Sequence, residues 1–192
     1  MGIAALIGFY LLVIGLVIVL LAGIYAVVTY NRFVHLKTTV ESALSDVDVH
    51  LTKRYNLIPN LVETVKGYAE HESGVFEEVT ALRSRAMQAT SLDEKARCDD
   101  SLRGLFKSLF AVAENYPALK ADANFQQLQK TLQELENSIE SGRRYYNAAV
   151  REHNILLNSF PANIVGRMFS FIAQPFFESA GDQERQTPQV DF

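Results

Sequence analysis

The chain has 192 residues, a formal net charge of −4 and a single cysteine. This length fits one domain with appendages, and the nearly balanced charge, 18 basic against 22 acidic residues, does not favour nucleic acid as a partner. Cys98 alone excludes an intrachain disulfide and a zinc site built from several cysteines. No Lys, Arg, Asp or Glu precedes Arg32, so an uncharged segment is joined to a charged body.

The first 30 residues have the composition of a membrane anchor. Residues 3–28 are apolar apart from glycines and two tyrosines, and as a helix they would be about 39 Å long against about 30 Å of hydrocarbon. Tyr10, Tyr25 and Tyr30 stand near its ends, where tyrosine favours the membrane interface. The run exceeds the apolar core of a cleaved signal peptide. We therefore predict an uncleaved, single-pass signal-anchor over 1–30.

The charges beside the anchor predict its orientation. Its N-terminal flank has no Lys or Arg, whereas Arg32 and Lys37 follow the apolar run. Basic flanks stay in the cytoplasm, so the sequence predicts an external N-terminus and a cytoplasmic body.

The body, residues 31–160, has the pattern of an all-α protein. Proline and glycine are scarce, and period-two alternation and hairpin turns are absent from the sequence. The first body helix is predicted to continue the anchor without a break, and Pro59 to kink it or to restart it with Asn56 as a cap. Whether the chain reverses at Glu72–Gly74 decides between three and four long helices, and both counts stay open.

Two later helices have clear start or stop signals. A capping box of Ser91 and Glu94 predicts a helix from Leu92 to about Asn115. A seam of alternating three- and four-residue steps predicts a longer coiled-coil-like helix that Pro161 ends. The seam consists of Phe125, Leu128, Leu132, Leu135, Ile139, Gly142, Tyr146, Ala149, His153, Leu156 and Phe160. Together these elements predict an antiparallel up-and-down bundle of three to four long helices.

The segment after the bundle, 161–178, is apolar but too short to span a membrane. It can cap the end of the bundle, lie on the membrane surface or pack against another subunit. Residues 179–192 are polar and are predicted to be disordered. The candidate end-contact residues are Ile164, Phe169, Phe171, Phe176 and Phe177.

Common catalytic and metal-binding motifs are absent from the sequence. The histidines lack the Glu-x-x-His spacing of di-iron bundles, and HExxH, P-loop and GxGxxG patterns are missing. We therefore predict no catalytic residues, cofactor or metal. His153 is either a pH-sensitive core group or a buried histidine hydrogen-bonded across the bundle. The basic and aromatic run 143–147 is predicted to be a solvated face.

Residues 54–72, RYNLIPNLVETVKGYAEHE, closely resemble the hallmark segment of the bacterial LemA family. Tyr30-Asn31, the YPALKA run that begins at Tyr116, and the residues from Tyr146 to Pro161 agree with this family. The resemblance implies a small bacterial membrane protein with an N-terminal anchor and a helical bundle, and hence the inner membrane. It implies no established enzymatic activity and no cofactor.

This segment has more specific polar residues than a core stripe needs. One explanation lies within the chain: Pro59 leaves backbone carbonyls of the preceding turn without a hydrogen-bond donor, and Asn or Arg side chains can donate to them. Alternatively, the face contacts another subunit. The candidate interaction residues are Arg54, Asn56, Asn60, Glu63, Lys66, Tyr68 and His71.

Three functions follow as hypotheses. The first is a non-enzymatic structural scaffold that sits in the lipid bilayer and self-assembles as a homo-oligomer through its bundle. The second is a membrane-anchored adaptor or regulator that binds another membrane protein, such as a protease or a sensor. The third is an enzyme with an unfamiliar site around Asp46, Arg54, Glu63 and His71.

Overall fold

A computed structural model of the chain describes residues 2–68 and 73–178, and in this part it is all-helical, as predicted. The helices in the described ranges are α1 (Ile3–Lys66), α2 (Ser73–Gln88), α3 (Leu92–Ala113), α4 (Pro117–Ala121), α5 (Ala123–Asn158) and α6 (Ala162–Met168).

Helix α1 confirms that the apolar stretch continues into the body without a break. Its N-terminal part is long and apolar enough to cross a membrane, and the side chains of its most apolar stretch are not buried by the protein. α1 also passes through Pro59, so the predicted restart with Asn56 as a cap is wrong. Pro59 faces outward while Ile58 and Leu61 beside it are buried, and this core packing holds the helix despite the missing amide hydrogen bond.

The chain divides into two compact units. The anchor unit comprises Met1–Ser42 and Ala148–Pro175, and the bundle unit comprises Ala43–Asn147 and Phe176–Phe192. The predicted segment boundaries at residues 30, 160 and 178 are not tested by this division and stay predictions.

In the bundle unit, α2 runs antiparallel to α1. Near the C-terminal end of α1, Lys66 lies 5.8 Å from the ring centroid of Phe76, which is near the start of α2. Earlier in α1, the backbone carbonyl of Tyr55 accepts a hydrogen bond from Nε of Arg83, which is nearer the end of α2. The described part of the bundle unit therefore has four long helices, α1, α2, α3 and α5, which is the larger of the two predicted counts. His71 and Glu72, where the sequence left the reversal open, lie outside the described residues.

The remaining two long helices complete an up-down-up-down arrangement. Asp48 of α1 pairs with Lys95 of α3 at 2.7 Å, and Arg54 pairs with Asp99 further along both helices, so α3 runs parallel to α1. Gly142 of α5 lies against Val47, whereas Glu136, earlier in α5, binds Arg54, so α5 runs antiparallel to α1.

The capping box at the start of α3 is confirmed. Ser91 Oγ accepts a hydrogen bond from the Glu94 amide at 3.2 Å, and Glu94 Oε2 accepts from the amides of Thr90 and Ser91. These backbone donors, above all that of Ser91, hold the pKa of Glu94 below its usual value.

We expect this cap to make folding stability pH-dependent. A carboxylate whose pKa is lowered in the folded state stabilises it above the unfolded pKa of about 4.3, and this contribution disappears as the pH falls through the folded value. Glu94→Gln should therefore flatten the acid limb of a thermal-unfolding series below about pH 5. Glu134→Gln, at an exposed site within α5, is the control, and an equal flattening there would contradict the assignment.

The anchor unit has its own apolar core. It joins α1, the end of α5 and α6, and Phe171 stacks on Phe33 with ring centroids 4.7 Å apart. A Cβ on Gly166 of α6 would lie 2.8 Å from Leu157 and 3.2 Å from Phe33, so glycine permits this close approach. The core residues are Phe33, Leu36, Leu156 and Ala162, with Leu157 and Phe171 packed against them.

The predicted seam of α5 is buried or half-buried at every position except Phe160. Phe160 is 81% exposed, and α5 ends at Asn158, before it. The heptad pattern thus identified the inward face of the helix and overran its end by one seam residue.

Candidate functional site

The bundle unit is built around a buried ion network. Arg54 is 1% exposed and pairs with the fully buried Asp99 of α3. Its second terminal nitrogen, Nη1, donates to Glu136 Oε2 of α5 at 2.9 Å. One arginine therefore links three helices through two carboxylates.

Two further arginines surround the same carboxylates. Arg143 Nη1 lies 3.2 Å from Asp99 Oδ2, and Arg103 Nη2 lies 2.7 Å from Glu136 Oε1. Arg143 also approaches Asp100 at 3.9 Å and stacks over the ring of Phe177 at 4.6 Å. Three guanidinium groups thus meet three carboxylates, so the network is close to neutral.

Burial governs the electrostatics of this network. Loss of water lowers the pKa of Arg54, and the adjacent Glu136 carboxylate acts in the opposite direction. A buried charge is tolerated when its partners remain in place and becomes costly when one is removed. Chemically, the arrangement fixes the positions of α1, α3 and α5, since its carboxylates are engaged by guanidinium groups.

An open groove of about 440 Å³ lies beside the network. Its lining combines apolar rings with charged side chains, and the Nε of Arg54 has no hydrogen-bond partner among the described residues. The lining residues are Arg54, Arg103, Phe106, Lys107, Phe110, Ala111, Glu114, Gln129, Leu132, Gln133 and Glu136.

Two asparagine side chains of α5 hold the extended chain that follows α6. Asn154 of α5 donates to the carbonyl of Gln174 and accepts from its amide, both at 2.9 Å. Asn147 does the same for Phe177, at 3.0 and 2.8 Å. Each asparagine side chain thereby satisfies the backbone of the segment as a neighbouring strand would.

We expect Asn154→Ala to destabilise the fold by about 1–3 kcal/mol, because the Gln174 amide and carbonyl lose their partner. The exposed Asn158, which bonds the carbonyl one turn earlier in its own helix, is the matched control. Urea unfolding followed by circular dichroism measures both variants. Equal stability losses for Asn154→Ala and Asn158→Ala would contradict this role.

These structural features lie mostly within a region that has known relatives. The family model described as "LemA family" matches residues 43–192, which include both the ion network and the two asparagines. The chain belongs to the LemA family. The resemblance found at residues 54–72 is thereby confirmed.

Curated relatives of this LemA-family chain include magnetosome proteins. Magnetosome proteins MamQ 1 and MamQ 2 of Paramagnetospirillum magneticum (strain AMB-1) are each 24% identical over 189 residues, covering 84% of this chain and 70% of theirs. Magnetosome protein MamQ of Magnetospirillum gryphiswaldense is 21% identical over the same shares. Together with the apolar part of α1, the family fits a membrane-associated protein.

The predicted interaction face of this LemA protein separates into exposed and buried residues. Asn56, Asn60 and Glu63 are exposed at helical spacing along α1. Arg54 belongs to the core between Leu51 and Ile58, so its place on an outer face is corrected. Whether the exposed residues bind another subunit stays a prediction.

Two further members of that face, Lys66 and Tyr68, make contacts within the chain. Lys66 lies over Phe76, and Tyr68 Oη donates to Asp122 at 3.0 Å. That bond raises the pKa of Tyr68, while the Phe125 amide, followed by Tyr68, lowers the pKa of Asp122. His71 lies outside the described residues.

An arginine side chain does satisfy a backbone carbonyl freed by Pro59, as the internal explanation predicted, but this arginine lies on α2 and not within residues 54–72. Pro59 lacks an N–H, so the carbonyl of Tyr55 has no helical donor. Arg83 of α2 donates its Nε–H to this carbonyl at 2.8 Å. The side chain of Arg54 is instead engaged by carboxylates.

Some of the predicted end-contact residues are buried within the chain, and others are exposed. Phe171 is half-buried against Phe33, and Phe177 is 1% exposed against Tyr146. Ile164, Phe169 and Phe176 are exposed. The segment therefore packs partly on the helices of its own chain and leaves an apolar side uncovered.

His153 is fully buried beside Phe33, with ring centroids 5.9 Å apart. Its Nδ1 lies 3.3 Å from Asn154 Oδ1, the next residue in α5, and its Nε2 has no partner among the described residues. Among the described residues His153 therefore makes no hydrogen bond across the bundle, which was one of its two predicted alternatives, and the ring of Phe33 faces it instead.

Sequence reasoning missed Asp99, Glu136 and Arg143. Arg143 was expected on a solvated face, yet it is buried. The burial of Asp99 could have been predicted from its spacing, since it lies three residues from both Ala96 and Leu102 on the apolar stripe of α3. Among the described residues no cluster of three His, Cys, Asp or Glu side chains is arranged to hold a metal ion.

Proposed function

We propose that this LemA-family protein is a single-pass protein of the bacterial inner membrane that serves as a non-enzymatic scaffold and self-assembles through its bundle. The observation that carries the proposal is α1, which runs unbroken from the apolar stretch into the bundle unit. A continuous helix leaves no loop between anchor and body. Membrane anchoring holds copies in one plane, where weak lateral contacts add together.

The exposed stripe of Asn56, Asn60 and Glu63 is the proposed contact surface. Asparagine amides both donate and accept hydrogen bonds, so a copy of the same stripe is chemically complementary to it. An isologous contact uses the same patch on both subunits. The groove between α1 and α2 borders this stripe and adds an apolar floor with charged edges, and its lining includes Ile58, Pro59, Val62, Glu63, Lys66 and Arg83.

The non-enzymatic part of the proposal is supported by how the charged core is arranged. Arg54 and Asp99 are buried and bound to each other. A catalytic acid or base needs access to substrate within hydrogen-bond reach, whereas these groups are engaged in holding helices together.

The proposed orientation places the N-terminus outside and the bundle in the cytoplasm. Arg32 and Lys37 follow the apolar stretch, and basic flanks are retained on the cytoplasmic side. Labelling of Asn137→Cys in a Cys98→Ser background with a membrane-impermeant maleimide tests this. We expect labelling only after the inner membrane is permeabilised, and labelling of intact spheroplasts would contradict the orientation.

Cross-linking in native membranes tests self-assembly. In the Cys98→Ser background, Asn60→Cys places one thiol on the proposed contact stripe, and Asn137→Cys places one on the exposed side of α5 as a matched control. We expect a short bismaleimide linker to give a ladder of multimers from Asn60→Cys and mainly monomer from Asn137→Cys.

Two results would overturn the scaffold proposal. One is a monomer from Asn60→Cys together with a monomeric mass by light scattering in detergent. The other is an Asn60→Cys adduct with a different membrane protein and no self-adduct, which would favour the adaptor function instead.

A further inference from the structure

The anchor unit exposes a set of large apolar side chains after α5. They occupy the loop before α6, one side of α6 and the turn after it, while the opposite side of α6 is buried through Ala162, Val165 and Gly166. The exposed fractions are 81% for Phe160, 58% for Ile164, 62% for Met168, 49% for Phe169 and 71% for Ile172. We refer to these five residues as the apolar rim.

The apolar rim is fixed to α1 directly after the membrane-spanning stretch. The ring of Tyr30 packs on Phe169 with centroids 4.7 Å apart, and on Phe171 at 5.8 Å. Phe171 also stacks on Phe33, and Gly166 lets α6 press against the same ring. The rim is therefore held beside α1 at the level of Tyr30.

Tyr30 marks the depth of the membrane surface. It stands two residues after the apolar stretch 3–28, and tyrosine at the end of a spanning helix lies at the headgroup level. A side chain in ring contact with Tyr30 lies at the same depth. Phe169 is the rim residue in such contact, so the rim adjoins the interfacial layer of the leaflet from which α1 emerges.

The charge of the segment fits a lipid surface. From Ile155 to Phe177 the sequence contains a single charged residue, Arg167, which is exposed. Arg32 of α1 is exposed as well, two residues from Tyr30. Apolar side chains flanked by arginine are typical of segments that bind the headgroup region of anionic membranes.

We propose that the apolar rim is a second membrane contact, in which Phe160, Ile164, Met168, Phe169 and Ile172 insert into the interfacial layer beside the anchor. The occupant of this surface is lipid, because the anchor already places the rim against the bilayer. The inference rests on the membrane anchoring in the proposed function. The contact fixes the anchor unit to the surface at two points instead of one.

Tryptophan fluorescence tests this contact without background, because the chain contains no tryptophan. Ile164→Trp, Phe169→Trp and Ile172→Trp each place one reporter on the rim of the full-length protein. Tyr25→Trp reports on the span, and Tyr145→Trp, 58% exposed on α5, is the control outside the rim. Each variant is reconstituted in vesicles of phosphatidylglycerol and brominated phosphatidylcholine.

We expect brominated lipid to quench the three rim reporters about as strongly as Tyr25→Trp, and aqueous iodide to leave them largely unquenched. Tyr145→Trp should show the reverse pattern. Bromines near the headgroup end of the acyl chain should quench the rim reporters more than bromines near its methyl end, as interfacial depth requires.

Other outcomes separate the two proposals. Rim reporters quenched by iodide and not by lipid would mean that the rim faces water, and rim reporters quenched by neither would mean that another protein surface covers it. Either result overturns the inference while a quenched Tyr25→Trp leaves the anchor intact. An unquenched Tyr25→Trp would overturn membrane anchoring, and the rim contact with it.

Discussion

We expect Asp99→Asn to lower the free energy of unfolding by about 3–5 kcal/mol, because it leaves the charge of Arg54 buried without its closest partner. Asp99 is fully buried and touches Arg54, Arg143 and Arg103. The amide retains the shape of the carboxylate, so the loss reports on charge rather than on packing. Chemical unfolding of the full chain in detergent, followed by circular dichroism, measures the change.

Two comparisons make this prediction specific. Asp93→Asn removes a carboxylate from an exposed pair with Arg97 on the same helix, and we expect a loss of at most about 0.5 kcal/mol. Arg54→Met combined with Asp99→Leu removes both buried charges, while Arg103 retains Glu136 and Arg143 retains Asp100. The double variant should be more stable than Asp99→Asn alone. A double variant at least as destabilised would refute the electrostatic explanation.

Phe33→Ala is expected to cost about 3–5 kcal/mol, since it removes a fully buried ring from the core of the anchor unit. This ring stacks on Phe171, meets His153 edge-on and closes against Gly166. Its loss therefore loosens α6 and the chain that follows it. Thermal unfolding gives the overall cost, and hydrogen exchange of residues 160–175 shows whether the segment is released.

The neighbouring Val34 provides the control for this prediction. It is 41% exposed on the same helix, so we expect Val34→Ala to change stability by no more than about 0.5 kcal/mol. If Phe33→Ala left exchange in residues 160–175 unchanged, the ring would not be what holds the end segment.

Local patterns in the sequence identified the start of one helix and the buried face of another. The capping box at Ser91 fixed the start of α3, and the seam of α5 identified its buried face. Both signals act within one or two helical turns, where spacing along the chain determines spacing in the structure. The overrun at Phe160 shows the limit, because a heptad pattern does not contain the position at which a helix ends.

The ion network could be predicted only in part. Arg54 lies three residues after Leu51 and four before Ile58, and Asp99 lies three from Leu102, so each occupies an apolar stripe. A charge in such a position requires a buried partner. The sequence does not say which partner, because the choice depends on how α1, α3 and α5 are aligned in the bundle.

The sequence by itself determined that this chain has an apolar N-terminal helix, an all-α body and membership of the LemA family, since these follow from composition, periodicity and a specific local motif. The tertiary structure decided that the described part of the bundle has four long helices, that Arg54 faces the core and that Asn147 and Asn154 hold the chain after α6. Each of these depends on contacts between residues tens of positions apart. Only the packing of complete helices brings such groups within hydrogen-bond distance.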